Sequence, residues 1–378
     1  MCTRSDLNAS VQKVLDALVD SGEEIGLQVA AYVDGELVVD AWAGVTDEIS
    51  GKPVNGDTLF TSWSTTKGFV STCIHILGDR GLIDYDTSVD TYWPEFATHG
   101  KDKITVRHVL SHSSGIPHMP EDVTPEMITD WDAMCTAIAN LKPLWPPGNT
   151  THYHFWTWGW IIGEVIRRVD GRPVFQFVQE ELCQPLGIND FYLGIPNTVE
   201  HRVAPVREER TRAAKAPDKD DLALRVTPPQ ITRAEIVNRP DVRRACIPAI
   251  GGIMNARAIA RHYAMLSGYG ELDGTRILSK ERVDLIHTLH NVDPAKLLEG
   301  QIPIGLGYLL GGSTHHDWSI AMGETGGEFG HPGHGGSLGF ADPNRNIGFG
   351  LTKNLMKEGD ETVRMVAETI RNQLDSTA

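Results

Sequence analysis

The sequence Leu59-Phe-Thr-Ser-Trp-Ser-Thr-Thr-Lys-Gly-Phe-Val70 carries the feature on which the fold and the chemistry of this chain depend. An extended apolar run leads into Ser64, and a helical pattern leads out of Lys67. Residues three positions apart in a helix share a face, so these two side chains are predicted to be neighbours. A lysine that burial keeps partly neutral can take the proton of a serine. The stretch therefore predicts acyl-enzyme chemistry that needs no histidine base.

The same spacing also occurs at Ser10 and Lys13, where it indicates something different. The apolar residues around this second pair recur at the spacing of an ordinary amphipathic helix, with the serine and the lysine on its solvated side. A Ser-x-x-Lys match alone is therefore a weak signal. The context of Ser64 and its partners further along the chain distinguish it from Ser10.

The composition is that of a globular enzyme. The chain has 378 residues, 40% hydrophobic and 22% charged, which suits one composite fold or two interleaved domains. Its formal net charge of -16 repels phosphate backbones and anionic lipid, so neither nucleic acid nor a membrane surface is an expected partner. No signal peptide or membrane span is evident. Five scattered cysteines favour reduced thiols and a cytoplasmic location.

Strand patterns lie towards both ends of the chain, and helical patterns lie between them. This order predicts an α/β domain built from residues 1–62 and 245–378, with a mainly helical domain over 63–244 inserted into it. The stretch 207–244 is highly charged and then rich in proline. Its simplest interpretation is a solvated connection, and a lid over a substrate channel is the alternative.

A second chemical element is Tyr153, which a Pro147-Gly148 turn delivers to the start of a tryptophan-rich helix. A phenol near a lysine ammonium has a lowered pKa, because the cation favours the phenolate. A phenolate can accept the proton of Ser64 and later pass it to a leaving group. Taken alone, Tyr153 is more simply an aromatic residue that covers the core.

The third element is the glycine-rich segment 330–340. Glycines let a strand edge approach a ligand closely, and backbone N–H groups on such an edge can hold an oxyanion. A hairpin turn is the plainer interpretation of the same glycines.

These elements occur in the order seen in a known superfamily. In-order matches span about residues 26 to 352. The motifs that carry them are Ser64-x-x-Lys67, Leu110-Ser-His-Ser-Ser-Gly115, Pro147-Gly148-x4-Tyr153, Gly251-Gly252-Ile-Met-Asn-Ala-Arg257 and Gly330-His331-Pro332-Gly333. Together they resemble the serine β-lactamase and penicillin-binding superfamily, specifically its class C-like branch and the family VIII carboxylesterases. The resemblance implies an antiparallel sheet flanked by helices, an inserted all-helical domain, and Ser64, Lys67 and Tyr153 as catalytic residues.

Two departures from that pattern bear on the substrate. The β-lactamases of the family carry asparagine two residues after the tyrosine, where this chain has Phe155, and lysine in the third motif, where it has His331. Both changes remove contacts to a β-lactam and leave the acyl-transfer machinery, which favours esters. The third motif can also be aligned with His334-Gly335-Gly336, so the choice between the two alignments stays open.

The sequence also contains a second possible nucleophile, Ser337, and several histidine pairs, but neither predicts a catalytic or metal site. Gly335-Gly-Ser337-Leu-Gly339 is a literal Gly-x-Ser-x-Gly, but that motif needs a later acidic residue and then a histidine, and no histidine follows Ser337. The histidine pairs 152/154, 315/316 and 331/334 each lack an obvious third metal ligand. No metal or other cofactor is therefore expected.

The sequence thus predicts a serine carboxylesterase that hydrolyses small acyl esters. Ser64 attacks the carbonyl after Lys67 has primed the serine for attack. Tyr153 protonates the leaving alcohol and then activates water. The N–H groups of Ser64 and of a residue in 331–336 form the oxyanion hole; if His331 stands in the lysine position, that residue is His334. The residues assigned to oxyanion or substrate binding are Ser64, His331, Gly333, His334, Phe155 and Trp63.

Three alternatives stay open. One is acyl transfer to another alcohol or amine through the same acyl-enzyme. Another is hydrolysis of β-lactams or D-amino-acid peptides, and the third is a non-catalytic penicillin-binding-like protein. The natural substrate and the oligomeric state are not predicted.

Overall fold

The computed structural model describes residues 4–209, 222–290, 301–313, 315–357 and 359–376. Its α-helices are α1 Arg4–Asp20, α2 Thr66–Asp79, α3 Val89–Tyr92, α4 Val106–Leu110, α5 Trp131–Ala139, α6 Thr157–Asp170, α7 Val174–Val178, α8 Leu222–Val226, α9 Pro229–Thr232, α10 Ala234–Val237, α11 Pro240–Arg244, α12 Ala256–Ser267, α13 Lys280–Ile286, α14 Asp317–Met322 and α15 Glu361–Asp375. Short 3-10 segments cover Trp63–Thr65, Pro94–Lys103, Met127–Thr129 and Glu200–Arg202, and a π-helical turn covers Gln179–Cys183.

The strands fall into one large sheet and several small ones. They are β1 Gly26–Val33, β2 Glu36–Asp47, β3 Lys52–Pro53, β4 Leu59–Thr61, β5 Phe191–Leu193, β6 Val203–Ala204, β7 Arg207–Glu208, β8 Gly252–Met254, β9 Glu271–Leu272, β10 Thr275–Arg276, β11 Leu309–Leu310, β12 Phe329–Gly333, β13 Ser337–Asp342, β14 Ile347–Lys353 and β15 Leu355–Met356. The large sheet has seven strands in the order β11-β12-β13-β14-β1-β2-β3, and all neighbours run antiparallel. The predicted antiparallel sheet is therefore confirmed.

Helices cover both faces of the large sheet. On one face α1 and α15 pack together over an apolar layer, because each presents one apolar stripe to the strands. The residues of this layer include Leu7, Val11, Leu15, Leu18, Leu27, Val29, Leu338, Phe340, Phe349, Leu351, Val363, Val366 and Ile370. The two ends of the chain thus build one layer together, as β1 pairs directly with β14.

On the opposite face α12 lies unusually close to the sheet. A Cβ atom added at Gly348 would lie 2.2 Å from the backbone nitrogen of Ala264, and one at Gly350 would lie 2.6 Å from the carbonyl oxygen of Ala256. These distances leave no room for a side chain. Glycine at alternating positions of β14 therefore allows the backbone of α12 to approach the strand. This close packing fixes the position of β12, β13 and β14 relative to the interior.

A second, four-stranded sheet with the order β5-β8-β4-β6 lies where the strands meet the helical part. β4 and β8 come from the predicted α/β portions, whereas β5 and β6 come from the predicted helical insertion 63–244. In the described part of residues 63–244 helices predominate, and two of its strands join this shared sheet. The exact division at residues 62/63 and 244/245 stays a prediction.

The predicted charged connection 207–244 is described only in part, because residues 210–221 lie outside the described ranges. Its first strand, β7, pairs in parallel with β15 from the end of the chain. After the gap, the short helices α8 to α11 follow in succession. Whether the segment acts as a connection or a lid stays a prediction.

Two expectations from composition can be compared with the structure. Cys73, Cys135, Cys183 and Cys246 carry free thiols, while Cys2 lies outside the described residues. Among the described helices, none combines the length and the hydropathy required to cross a bilayer.

Candidate active site

Ser64 lies on a tight junction between a strand and a helix. β4 ends at Thr61, a single 3-10 turn spans Trp63–Thr65, and α2 begins at Thr66. Trp63 adopts a φ of 49°, in the left-handed region that non-glycine residues rarely occupy. Strain of this kind persists only where surrounding contacts enforce it, and it is concentrated at functional sites. Here it turns the chain so that Ser64 faces a cavity while the residue is only 3% exposed.

The two threonines between Ser64 and Lys67 fasten this turn to its surroundings. The hydroxyl of Thr65 donates to the carbonyl oxygen of His331 at 3.3 Å. The hydroxyl of Thr66 donates to the Trp63 carbonyl and accepts the N–H of Gly252 at 2.9 Å. The turn is thus tied to β12 on one side and to β8 on the other, a role that sequence reasoning did not assign to these threonines.

Lys67 points into the same site and is completely buried. Its Nζ lies 3.1 Å from the Oγ of Ser64, 2.9 Å from the carbonyl oxygen of Phe155 and 3.1 Å from that of Ala249. It also lies 4.9 Å from the ring centroid of Tyr153. The predicted neighbours Ser64 and Lys67 are therefore in hydrogen-bonding contact.

The surroundings of Lys67 favour its neutral form. Burial lowers the pKa of its ammonium group well below the ordinary value of 10.5. A neutral amine has two N–H bonds and one lone pair. The carbonyl oxygens of Phe155 and Ala249 can only accept, so they account for both N–H bonds. In that neutral form the lone pair faces Ser64, which is the arrangement that a base requires, whereas an ammonium group would donate to all three oxygens.

Tyr153 completes the group from the opposite side. Its hydroxyl lies 3.3 Å from the Nε2 of His331 and also interacts with Ser64. Burial raises the pKa of the phenol above 10. The predicted lowering of this pKa by Lys67 is wrong, because burial disfavours the charged form of the amine as well. Tyr153 is therefore a phenol in this environment, not a phenolate.

Two buried histidines hold the loop that carries Tyr153. The backbone N–H of His154 donates to the Nδ1 of His112 at 3.1 Å, and the His112 ring lies 4.5 Å from the Tyr153 ring. The Nδ1–H of His154 donates to the carbonyl oxygen of His152, which leaves its Nε2 to accept from the Ser114 hydroxyl at 2.7 Å. These contacts fasten the Tyr153 loop to the segment at residues 110–115 that sequence motifs had singled out.

The glycine-rich segment runs alongside Ser64 as β12. His331 is only 1% exposed, and its ring faces Tyr153. His334 follows the strand, and its ring packs edge-on against Trp63 at 5.3 Å and Phe155 at 5.7 Å. At Gly333 an added Cβ atom would lie 2.4 Å from the carbonyl oxygen of Ser62, so only glycine lets this strand approach the nucleophile turn.

These groups open into a cavity of about 550 Å³, a size typical of small-molecule sites. It is lined by Ser64, Tyr153, Phe155, Glu208, Glu209, Ile302, Leu309, Trp318, His331, Pro332, Gly333, His334, Gly335, Met356, Lys357, Gly359 and Asp360. Phe155 lines this cavity with its apolar ring. Trp156 and Trp158 lie in the core without exposure and do not line the cavity.

The competing serines have structural contacts instead. Ser337 is buried behind the site, where its hydroxyl donates to the carbonyl oxygen of Ser62 at 2.9 Å. Ser10 lies on α1 and accepts a hydrogen bond from Gln373, while Lys13 is exposed. Within the described ranges, no cluster of three or more histidine, cysteine or acidic side chains is arranged as metal ligands.

Comparison with known proteins places this geometry in context. A family model described as Beta-lactamase matches residues 11–369. The esterase/beta-lactamase LipL of Mycobacterium tuberculosis is 34% identical over 342 residues, which cover 87% of this chain and 77% of LipL. The crystal structure of a family VIII carboxylesterase superposes with a TM-score of 0.87 at 32% identity over 98% of both chains. A penicillin-binding protein homologue from Caulobacter crescentus superposes with a TM-score of 0.86 at 30% identity over 97% of both.

Proposed function

Because the chain belongs to the beta-lactamase family, we propose that it hydrolyses small acyl esters through an acyl-enzyme on Ser64. Its similarity to proteins named carboxylesterase and esterase/beta-lactamase makes it a serine hydrolase of the esterase type. The observation that carries the finer proposal is the 3.1 Å contact between Ser64 and the buried amine of Lys67. The roles of individual residues follow from that contact and from the position of Tyr153.

In the acylation step Ser64 attacks the ester carbonyl while its proton moves to the lone pair of Lys67. The negative charge that develops on the carbonyl oxygen is held by the backbone N–H groups of Ser64 and His334. Loss of one such donor typically costs about a hundredfold or more in rate. As the tetrahedral intermediate collapses, the carbon–oxygen bond to the alcohol breaks, and Tyr153 gives its proton to the departing oxygen.

Deacylation reverses these proton movements. The Tyr153 phenolate left by acylation takes a proton from water, whose oxygen attacks the acyl carbon. The bond from that carbon to Ser64 Oγ then breaks, and the Lys67 ammonium returns its proton to the serine. The enzyme regains its neutral amine and its phenol, and the sum of both steps is one ester plus water giving acid plus alcohol.

The polar groups around the cavity favour esters over β-lactams. Phe155 stands where the related β-lactamases have an asparagine that contacts the substrate amide, and its ring packs against His334. With His331 aligned to the lysine of the third motif, which is one of the two alignments, burial lowers its pKa to about 3, so it is uncharged at neutral pH. A substrate carboxylate thus meets no cation at that position, whereas an ester needs none.

The test is to assay 4-nitrophenyl esters of short acids beside a chromogenic cephalosporin. We expect ester turnover to dominate, and mass spectrometry of the quenched enzyme should show the acyl group on the peptide that contains Ser64. Strong cephalosporin turnover without ester turnover would overturn the choice of substrate. Added alcohols that divert the acyl group in place of water would favour the acyltransferase alternative.

The matched variants are Ser64→Ala and Ser10→Ala, since both serines belong to Ser-x-x-Lys sequences. The first should abolish turnover, and the second should leave it unchanged because Ser10 lies on the far helix α1. Ester turnover that survives in Ser64→Ala would sink the mechanism.

A further inference from the structure

We propose that Lys353 is a positioning residue for the oxyanion hole, because the buried ion pair that it makes with Glu24 holds the turn at residues 333–336 in place. This turn carries His334, whose backbone N–H is one of the two proposed oxyanion donors. The inference rests on the proposed function and assigns a role in it to a residue that does not line the cavity.

The turn at residues 333–336 is short and contains two consecutive glycines after His334. The N–H of Gly336 donates to the carbonyl oxygen of Gly333 at 3.0 Å, which closes the turn. Gly335 and Gly336 have φ values of 83° and 100°, in the region that favours glycine. Glycine restricts its backbone less than any other residue, so such a turn is soft by itself. The direction of the His334 N–H therefore depends on the side chains that pack against the turn.

Lys353 and Met356 pack directly against this turn. A Cβ atom added at Gly336 would lie 2.9 Å from the Cε and 3.2 Å from the Nζ of Lys353. One added at Gly335 would lie 2.7 Å from the Cγ of Met356. The glycine backbone thus lies against both side chains with no room for a further atom. A lysine side chain has many rotamers, so it supports a turn only where its ammonium group is fixed.

Glu24 fixes that ammonium group. Its Oε1 lies 2.6 Å from the Nζ of Lys353, and the side chains of the lysine and the glutamate are 2% and 0% exposed. The same carboxylate oxygen accepts from the hydroxyl of Thr362 and lies 3.4 Å from the Nζ of Lys357. Glu24 lies between α1 and β1, Lys353 ends β14, and Thr362 lies in the first turn of α15. The ion pair therefore connects the turn to segments from both ends of the chain.

An ion pair at this depth contributes little net stability. The loss of hydration of both charges offsets much of their attraction, and well-packed apolar residues of similar volume often stabilise a protein as well. The pair does provide a fixed geometry, because the carboxylate determines where the lysine side chain lies. A displacement of about 1 Å in a reacting site can cost about a hundredfold in rate. A Lys353 side chain without its anchor would let the turn move and take the His334 N–H away from the oxyanion.

The experiment removes the two charges singly and together. Lys353→Met keeps an unbranched side chain against the turn without the bond to Glu24, and Glu24→Met removes the partner. In each single variant kcat on a 4-nitrophenyl ester should fall by about tenfold to a hundredfold, while KM changes by less than about threefold. The double variant has neither charge, so its thermal stability should return towards that of the wild type. Its kcat should stay low, because a flexible methionine does not fix the turn.

The double variant separates a positioning role from a purely structural one. If kcat recovers together with stability, the pair only stabilises the fold and the proposal is overturned. Should neither single variant fold, the double variant decides by the same criterion. Lys280→Met breaks an exposed ion pair with Asp284 on α13 and should leave kcat and KM unchanged.

A second readout reports on the oxyanion hole itself. Phenylboronic acid forms a bond from boron to a nucleophilic serine oxygen, and the tetrahedral adduct places one of its oxygens where the oxyanion develops. The Kd of this probe should rise in Lys353→Met by about the factor by which kcat falls. An unchanged Kd beside a lowered kcat would contradict the proposal. Absent ester turnover in the wild type would remove the proposed function and this inference together, whereas wild-type kcat in a folded Lys353→Met protein would remove this inference alone.

Discussion

Lys67 brings together two properties that are rarely combined in one lysine. It is completely buried, and its amine contacts a serine hydroxyl and two backbone carbonyl oxygens instead of a carboxylate. Among the described residues no carboxylate pairs with it, and such burial disfavours the ammonium, whereas an acidic partner would favour it. The same residue would therefore be an inert cation in a slightly different site.

The need for a neutral Lys67 can be tested with a side chain that is always charged. Arginine keeps a positive charge in any protein environment, so Lys67→Arg should lower kcat/KM by about a thousandfold or more. Lys67→Met removes the base and should lower it comparably, because methionine fills much of the same buried volume without an amine. The measurements are kcat/KM on an ester substrate and the thermal unfolding temperature of each variant.

The matched control is Lys13→Arg in the second Ser-x-x-Lys sequence, where the lysine is exposed. Its activity should equal that of the wild type. A Lys67→Arg protein that keeps most of its ester turnover would rule out Lys67 as the base.

At the scale of elements, the β12–β13 hairpin is joined to the nucleophile turn by side chains. Ser337 donates to the carbonyl oxygen of Ser62 at 2.9 Å, and its Oγ lies 3.3 Å from the hydroxyl oxygen of Thr65. Gly333 lets the two backbones come together at this point. The Gly-x-Ser-x-Gly sequence thus has a structural explanation, which is the fastening of a hairpin.

Ser337→Ala removes that fastening and leaves the proposed chemistry in place. One lost buried hydrogen bond is worth about 1 kcal/mol, so we expect stability to fall by about that amount and kcat/KM to fall by less than about tenfold. Acyl-enzyme formation on Ser64 should persist by mass spectrometry. A folded Ser337→Ala protein that cannot be acylated would show that Ser337 takes part in the chemistry.

The contact between β14 and α12 gives a second prediction at this scale. An alanine at Gly348 would place its Cβ atom 2.2 Å from the backbone nitrogen of Ala264, and a helix backbone cannot yield locally. Gly348→Ala should therefore destabilise the fold by about 1–3 kcal/mol. At Gly327 the added atom meets only the side-chain amide of Asn344, which can move.

Urea unfolding of both variants makes the comparison. The midpoint should fall clearly for Gly348→Ala and little for Gly327→Ala. Equal midpoints would mean that α12 can shift off the sheet without loss, and that the glycines of β14 have another origin.

At the scale of the whole molecule, the interior contains several neutral histidines. Burial lowers the pKa of His75, His154, His262 and His331 to about 3 each, against an ordinary value of 6.5. Their neutral rings take part in internal hydrogen bonds, as between His262 and the hydroxyl of Thr72 at 2.7 Å. Unfolding would let all of these rings bind protons.

This predicts a loss of stability in mild acid. Between about pH 6.5 and pH 3 the unfolded chain binds more protons than the folded one, so the free energy of unfolding falls as the pH falls. Each histidine contributes up to about 1.4 kcal/mol per pH unit in that interval. Thermal unfolding followed from pH 8 to pH 4 should show the decline beginning near pH 6.5.

Replacement of a single histidine provides the control. His262→Gln should retain a hydrogen bond to Thr72 but has no proton to gain, so its stability should depend less steeply on pH below about 6.5. An unchanged slope would mean that other groups, such as carboxylates, account for the acid sensitivity.

The sequence by itself determined the order of the motifs, and with it the fold class and the placement of Ser64 beside Lys67. That pairing is local, because three residues of a helix fix it. The terminal strands and the glycines of β14 are also local patterns, so they indicated a sheet built from both ends of the chain before any contact was known.

Only the tertiary structure decided how protons are arranged in the site. The partners of Lys67 and Tyr153 come from residues 155, 249 and 331, which no local pattern links to one another. A pKa depends on how much water those distant segments exclude, and the sequence does not show burial. The expected phenolate of Tyr153 was wrong for this reason: a lysine in the sequence implies a cation, but the packed interior favours an amine.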